Sequence, residues 1–292
     1  EHKQHPNEDR HTSVGDLNAE LEAARARGFE SKIGSDGPKP LNDGAPPVGS
    51  TPPAHAFFGV YDGHGGSRCA THASSRLHLL LAHDLALWRA SPKSALEAAF
   101  GLIEAELRQI YVATPEEKSG TCACAAVVRG HRLIVGWTGD CRALLLRPEG
   151  HAKECVQLTT DHRATESKEN SRILKAGGEI KDGRVWGALM PSRTLGDFPW
   201  KDMGPGLSAV PEVTEVELTE DDKYLVIGSD GVFDALSNKA IAKIVCKMTG
   251  TAQKVCNELV KEMKKKPSGD DTTLIVVQLG PAPGATKRPP SL

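Results

Sequence analysis

No apolar run in these 292 residues approaches the roughly 20 residues of a membrane-spanning helix. Charge of one sign is lacking too: 36 Lys and Arg face 38 Asp and Glu, and the net charge of −2 gives no basis for binding nucleic acid or an anionic membrane. There is no internal repeat and no signal-like segment. The chain opens at Glu1 without an initiator Met, so it reads as a fragment whose upstream targeting signal, if one exists, lies outside it. Seven cysteines, an odd number scattered through strand-like and helix-like stretches, read as reduced thiols and not as a disulfide framework, which points to an intracellular chain, in the cytoplasm or nucleus. What is present is 39% hydrophobic and 25% charged residues, the balance of a soluble globular protein with ample length for a large core.

The stretch Ala56-Phe57-Phe58-Gly59-Val60-Tyr61-Asp62-Gly63-His64-Gly65-Gly66 organises the rest. Its first six residues read as a buried strand and the next five as a turn, which puts Asp62 where a core strand ends. One Asp-Gly pair is an ordinary turn dipeptide, and the chain has five, at Asp36, Asp43, Asp62, Asp182 and Asp230. The pattern nevertheless recurs: Tyr224-Leu225-Val226-Ile227-Gly228-Ser229 runs into Asp230-Gly231, and Ser268-Gly269-Asp270-Asp271 precedes a strand over 272–279. Carboxylates gathered at strand ends repel, so such a cluster implies hard cations with oxygen ligands. His5-Pro6-Asn7-Glu8-Asp9 adds an acidic pair that, taken alone, is solvated surface.

Along the chain, residues 17–29 have helix-forming composition and 34–54 read as a Gly/Pro/Ser-rich loop. Helices are expected over 67–89 and 94–112, separated by Ser91-Pro92. His72, His78 and His83 lack the i, i+4 pairing of a helical zinc site and read as surface or core residues. Short strands follow at 121–129, 132–138, 142–147 and 155–159, which argue for an antiparallel sheet. A helix over 166–176 stops at Gly177-Gly178, residues 179–211 are irregular, 213–218 and 223–229 read as a hairpin, and helices at 238–248 and 251–265 precede the last strand. The tail 280–292 is Pro-rich.

Cys141 and Arg147 match the Cys-x5-Arg spacing of cysteine-dependent phosphatases, but Arg142-Ala143-Leu144-Leu145-Leu146 is a bulky strand where a phosphate cradle needs small residues. Cys122 and Cys124 share one face of a strand and read as core.

The ordered set Asn7-Glu8-Asp9, Asp62-Gly63-His64-Gly65-Gly66, Gly120-Thr121, Gly139-Asp140-Cys141-Arg142, Ala176-Gly177-Gly178, Ser192-Arg193-Thr194-Leu195-Gly196-Asp197, Ser229-Asp230-Gly231 and Gly269-Asp270-Asp271 resembles the metal-dependent, type 2C serine/threonine protein phosphatases. The resemblance covers the chain from about Lys3 to Leu279. It implies an α+β fold: a four-layer α-β-β-α sandwich of two antiparallel sheets flanked by helices. Residues 1–279 would form one catalytic domain, with an insertion at 17–55 and a mobile flap at 163–211 that influences substrate choice. The implied cofactors are two Mg2+ or Mn2+ ions and a weaker third. By motif position Asp62 bridges both ions, Glu8 and the Gly63 carbonyl hold the second, and Asp230 and Asp270 the first. Asp9 supports them, and Asp140 with Asp230 marks the weaker site. A water or hydroxide bridging the ions would attack phosphorus, with His64 protonating the leaving serine or threonine oxygen.

The expected partners are phosphoprotein substrates, acted on by a monomer. Where many members carry a phosphate-gripping Arg, this chain has Gln4 beside Lys3; Pro191 is unusual before the Ser-Arg step. Glu179-Ile180-Lys181-Asp182 lacks the Trp of plant hormone co-receptors, so that role is not extended here. A second reading keeps the fold only as an interaction platform; such members typically lack metal-binding acids, and here all the main ones are present.

Overall fold

The structure, a computed structural model, describes residues 7–26, 55–81, 83–147, 154–248, 251–266 and 269–279. Lys3, Gln4, the expected loop 34–54 and the tail 280–292 lie outside these residues. In chain order the elements are β1 (Arg10–Val14), α1 (Leu17–Ala26), β2 (His55–His64), α2 (Arg68–Leu80), α3 (Leu85–Ala90), α4 (Pro92–Ala113), β3 (Gly120–Arg129), β4 (Arg132–Thr138), β5 (Arg142–Arg147), β6 (Glu154–Gln157), α5 (Ser167–Lys175), β7 (Ile180–Lys181), β8 (Arg184–Val185), β9 (Leu195–Gly196), α6 (Phe198–Met203), β10 (Glu212–Glu217), β11 (Tyr224–Gly228), α7 (Asp230–Ala235), α8 (Asn238–Val245), α9 (Ala252–Met263) and β12 (Leu274–Gln278). None of the helices among the described residues is long and apolar enough to cross a membrane.

Period-two alternation builds the layers. In β11, Leu225 and Ile227 join a core with Val60, Cys122, Cys124, Val135 and Leu145, whereas Val226 joins Leu144, Ile241, Val255 and Leu259 on the opposite face. The first core is the space between two sheets and the second packs α8 and α9 on the outside. A third core sets Leu77, Leu96, Phe100 and Ile103 of α2 and α4 against Phe57, Ala125 and Ile134. Three cores make four layers: helices, a sheet ordered β1-β2-β3-β4-β10, a sheet ordered β12-β11-β5-β6, and helices. Both sheets are antiparallel, as expected.

Two readings of the sequence are corrected. Residues 213–218 and 223–229 are not a hairpin: β10 pairs with β4 in one sheet and β11 with β5 and β12 in the other. Alternation identifies a strand but not its partner. The helix expected over 67–89 breaks after Leu80 and restarts at Leu85, because the Asp84 carboxylate accepts the Leu87 N–H at 2.9 Å and caps a new helix.

Glu106 ties α4 to α2. Its buried carboxylate accepts His72 Nε2 at 2.8 Å, Arg76 Nε at 3.0 Å and Arg76 Nη2. Burial would raise its pKa, but the bonds from His72 and Arg76 outweigh it and bring the group to about 2. A depressed carboxylate adds stability above its unfolded pKa and loses it as pH falls toward the folded value. Glu106→Gln should therefore cost about 2 kcal/mol near neutral pH. In urea unfolding, the gap between variant and wild type should close between about pH 5 and pH 2; a gap constant across that window would remove this ion cluster as the cause.

Candidate active site

Asp62 does not follow a strand; it lies in one. β2 continues through Gly63 and His64, with Asp62 opposite Cys122, Gly63 opposite Thr121 and His64 opposite Gly120. Pairing with β3 overrides the turn propensity of Asp-Gly-His. Alternation places Asp62 on the face of Phe58 and Val60, toward the second sheet, at the rim of the inter-sheet core. The register that sets Arg10 opposite Tyr61 carries Glu8 and Asp9 alongside Gly63 and Asp62. The contact is close: a Cβ on Gly63 would lie 2.5 Å from the Glu8 carbonyl oxygen. From the facing sheet, Asp230 opens α7 directly after β11. Ser229 and Thr273 exchange hydrogen bonds at 3.0 and 3.1 Å, holding the loop with Asp270 and Asp271 beside it. The Asp271 carboxylate in turn accepts the Glu8 N–H at 2.7 Å.

These carboxylates oppose one another. Burial first, then repulsion from Asp9, Asp230, Asp140 and Asp270, pushes Asp62 up to about 9. Burial with Asp140 and Asp270 raises Asp230 to about 6, and burial also raises Asp9. Asp9 is only 6% exposed, and neither of its carboxylate oxygens has a well-formed hydrogen bond, although Ser229, Thr273 and Asp62 are near; Oδ1 of Asp230 is likewise unpartnered. Buried anionic oxygens without donors, gathered from two sheets, are a donor set for hard cations. Among the described residues no three His, Cys, Asp or Glu side chains are drawn close enough to enclose an ion as they stand. The fit therefore rests on donor chemistry and charge. Asp140 meets Asp230 through Arg163, whose Nε lies 2.9 Å from Asp140 Oδ2 and whose Nη2 lies 3.3 Å from Asp230 Oδ2.

His64 stands beside the cluster with Nε2 2.8 Å from Oδ2 of Asp197, a carboxylate only 1% exposed. Burial opposes the imidazolium, but Asp197, with Asp140 and Glu8, outweighs it and raises the His64 pKa. Asp197 occupies the space a side chain at residue 120 would need, since a Cβ on Gly120 would meet its carboxylate oxygens at 2.1 and 2.4 Å. The approach is fixed by β9, which pairs with β3 so that Gly196 faces Gly120. Below β9, the Glu169 carboxylate accepts Arg193 Nη2 at 2.6 Å, Ser192 Oγ at 2.7 Å and Arg172 Nε at 3.0 Å. Burial would raise Glu169, and those bonds hold it well below the usual carboxylate range. The expectation of a mobile surface flap over 163–211 therefore does not describe its middle: Ser192 to Phe198 is buried and pinned by an ion knot and a strand pair.

The remaining expectations divide cleanly. Cys141 is fully buried, burial pushes its thiol well up, and Arg147 is engaged by Asp222 at 2.7 Å, so the cysteine chemistry has no support. Cys122 and Cys124 are core, His72 serves Glu106 and His78 packs on Phe57. Arg163, Glu169 and Asp271, and Asp197 within its motif, had no role in the reading of the sequence. Asp-His-Arg at 161–163 beside an irregular stretch carried no visible signal. Asp197 could have been found as the one acid ending a Ser-Arg-Thr-Leu-Gly run.

The model of the protein phosphatase 2C family matches residues 14–272. Among curated proteins, a probable protein phosphatase 2C of Arabidopsis thaliana is 34% identical over 236 residues, covering 78% of this chain and 60% of its own length. A rice counterpart, from Oryza sativa subsp. japonica, is 34% identical over 245 residues, covering 78% of this chain and 63% of its own length. The chain thus spans less than two thirds of the length of these relatives. Among solved structures, a C. elegans sex determining protein superposes with a TM-score of 0.70 at 20% identity, over 96% of this chain and 63% of that one. The serine-threonine phosphatase 2C of Toxoplasma gondii gives 0.63 at 20% identity, over 77% and 84%. The structures show a shared fold, and the extent of the family match shows descent: the chain belongs to the protein phosphatase 2C family.

Proposed function

We propose that this chain is the catalytic unit, residues 1–279, of a metal-dependent protein serine/threonine phosphatase that hydrolyses phosphoserine and phosphothreonine. The observation that carries the reading is the rim where Asp9, Asp62, Asp140, Asp230 and Asp270 repel one another beside a histidine held by a buried aspartate. Asp62 would hold both Mg2+ or Mn2+ ions, with Glu8 and the Gly63 carbonyl on one, Asp230 and Asp270 on the other, and Asp9 behind them. Asp140 with Asp230 would form the weaker third position. When bound, the ions supply Lewis acidity and a nucleophile near neutral pH.

The chain's own residues do the rest. Asp197 binds His64 Nε2, which leaves Nδ1 to carry a proton toward the leaving oxygen. Its charge also keeps the imidazolium populated, as a proton donor requires. The Glu169–Arg193 knot and the β9–β3 pair keep Asp197 in place. Lys3 and Gln4 would meet the substrate phosphate, and the exposed parts of 163–211 would contact the phosphoprotein.

Turnover of a phosphopeptide should require added Mg2+ or Mn2+, stop in EDTA and survive iodoacetamide, because every thiol near the rim is buried. Inactivation by the alkylator with indifference to EDTA would overturn the reading.

A further inference from the structure

Among the described residues, Arg163 brings a permanent cation into the carboxylate rim. Its backbone is fixed by a bridge to Pro191, and the Ala164 N–H donates to the Met190 carbonyl at 3.1 Å, so the side chain starts from a held position. The guanidinium is about one-quarter exposed and reaches three acids: Asp140 at 2.9 Å, Asp230 at 3.3 Å and Asp161 at 3.9 Å. Asp161 already has a partner, since Arg142 binds it in a forked pair at 2.6 and 2.7 Å. The charge of Arg163 therefore falls on Asp140 and Asp230, and it lies on Oδ2 of each. Oδ1 of Asp140 takes a 3.2 Å contact from the Cys122 thiol. A guanidinium does not lose its proton in a protein, and its planar fork suits two carboxylates at once.

We propose that Arg163 is the resident cation of the Asp140–Asp230 pair, so that a third divalent ion binds there only by displacing it. The inference rests on the phosphatase reading above. It gives the pair a monovalent counter-charge that is tethered, cannot diffuse away and does not vary with the metal supply. The other two ions would meet Asp62, Glu8, the Gly63 carbonyl and Asp270, and Asp230 is shared between one of them and Arg163. Competition between a fixed charge and a soluble one is a coupling free energy, and such couplings typically change affinity by about 5- to 150-fold.

The test counts ions and does not depend on turnover. Mn2+ binding to the full chain is followed by titration calorimetry and by the loss of the free-ion electron paramagnetic resonance signal. Wild type should bind two ions, with a third only weakly. Arg163→Gln should bind the third at least about tenfold more tightly, and adding Asp140→Asn should abolish that gain. Arg163→Lys keeps the charge without the fork and should fall between wild type and Arg163→Gln, so it serves if the neutral variant fails to fold. Equal third-ion affinity in wild type and in whichever of the two variants folds would overturn the inference while leaving the two-ion reading intact. No Mn2+ binding to wild type at all would instead overturn the phosphatase reading.

Discussion

Asp62→Asn is expected to lower phosphopeptide turnover by about a thousandfold or more and, in EDTA, to raise the melting temperature. The two effects share one cause. Asp62 is the acid on which burial and the charges of Asp9, Asp230, Asp140 and Asp270 converge. Under the proposed function, removing its charge would deprive both ions of their shared ligand, and activity would collapse. The same substitution spares the metal-free protein the cost of burying and crowding that carboxyl. For a domain of this size each kcal/mol relieved is about 2–4 °C in melting temperature. The comparison needs steady-state rates in Mn2+ and melting curves in EDTA. Retained turnover would remove Asp62 from the site, and a lower melting temperature in EDTA would mean that the carboxylate is held by bonds and not opposed by charge.

The second large effect separates His64 from its support. His64→Ala should cost about a hundredfold or more on a phosphoserine peptide, because a serine alkoxide leaves poorly without a proton. On p-nitrophenyl phosphate the loss should be under about tenfold, since nitrophenolate needs little help. Asp197→Asn should repeat the pattern more mildly, and it should move the acidic limb of the phosphopeptide pH–rate profile less than the basic limb. The basic limb reports the proton on His64, and losing the Asp197 charge lowers that pKa, so the rate should fall at a lower pH than in wild type. Equal losses on both substrates would make His64 a structural residue, and an unmoved basic limb in Asp197→Asn would detach Asp197 from it.

How much of this was legible in the sequence varied with the kind of interaction. Asp62 and Asp230 could be singled out because each stands after an unbroken apolar run, which announces a packed strand whatever its partners are. The end of β2 could not, because Asp-Gly-His is extended only by its pairing with β3. Sheet membership was equally hidden: β10 and β11 are separated by a short turn, and what sends them to different sheets is the partners waiting at β4 and β5. The stretch 192–198 read as loop since it mixes polar residues with glycine. It is buried because Glu169, 24 residues before Arg193, neutralises and hydrogen-bonds it. Polar burial depends on a partner that local composition does not reveal.

The bond from the Glu8 N–H to the Asp271 carboxylate joins residues 263 positions apart. Its consequence falls on biosynthesis. A ribosome that has delivered the chain only as far as Gly231 has already made Glu8, Asp62, Asp140 and Asp230, yet the brace that aligns the first of these does not exist. The loop bearing Asp270 and Asp271, and the strand β12 that anchors it beside β11, follow only after that point. A rim that draws Glu8 and Asp271 together across 263 positions cannot close in a chain that stops at Gly231, so under the proposed function ion capture would wait for β12, and cleavage near residue 270 would dismantle the rim.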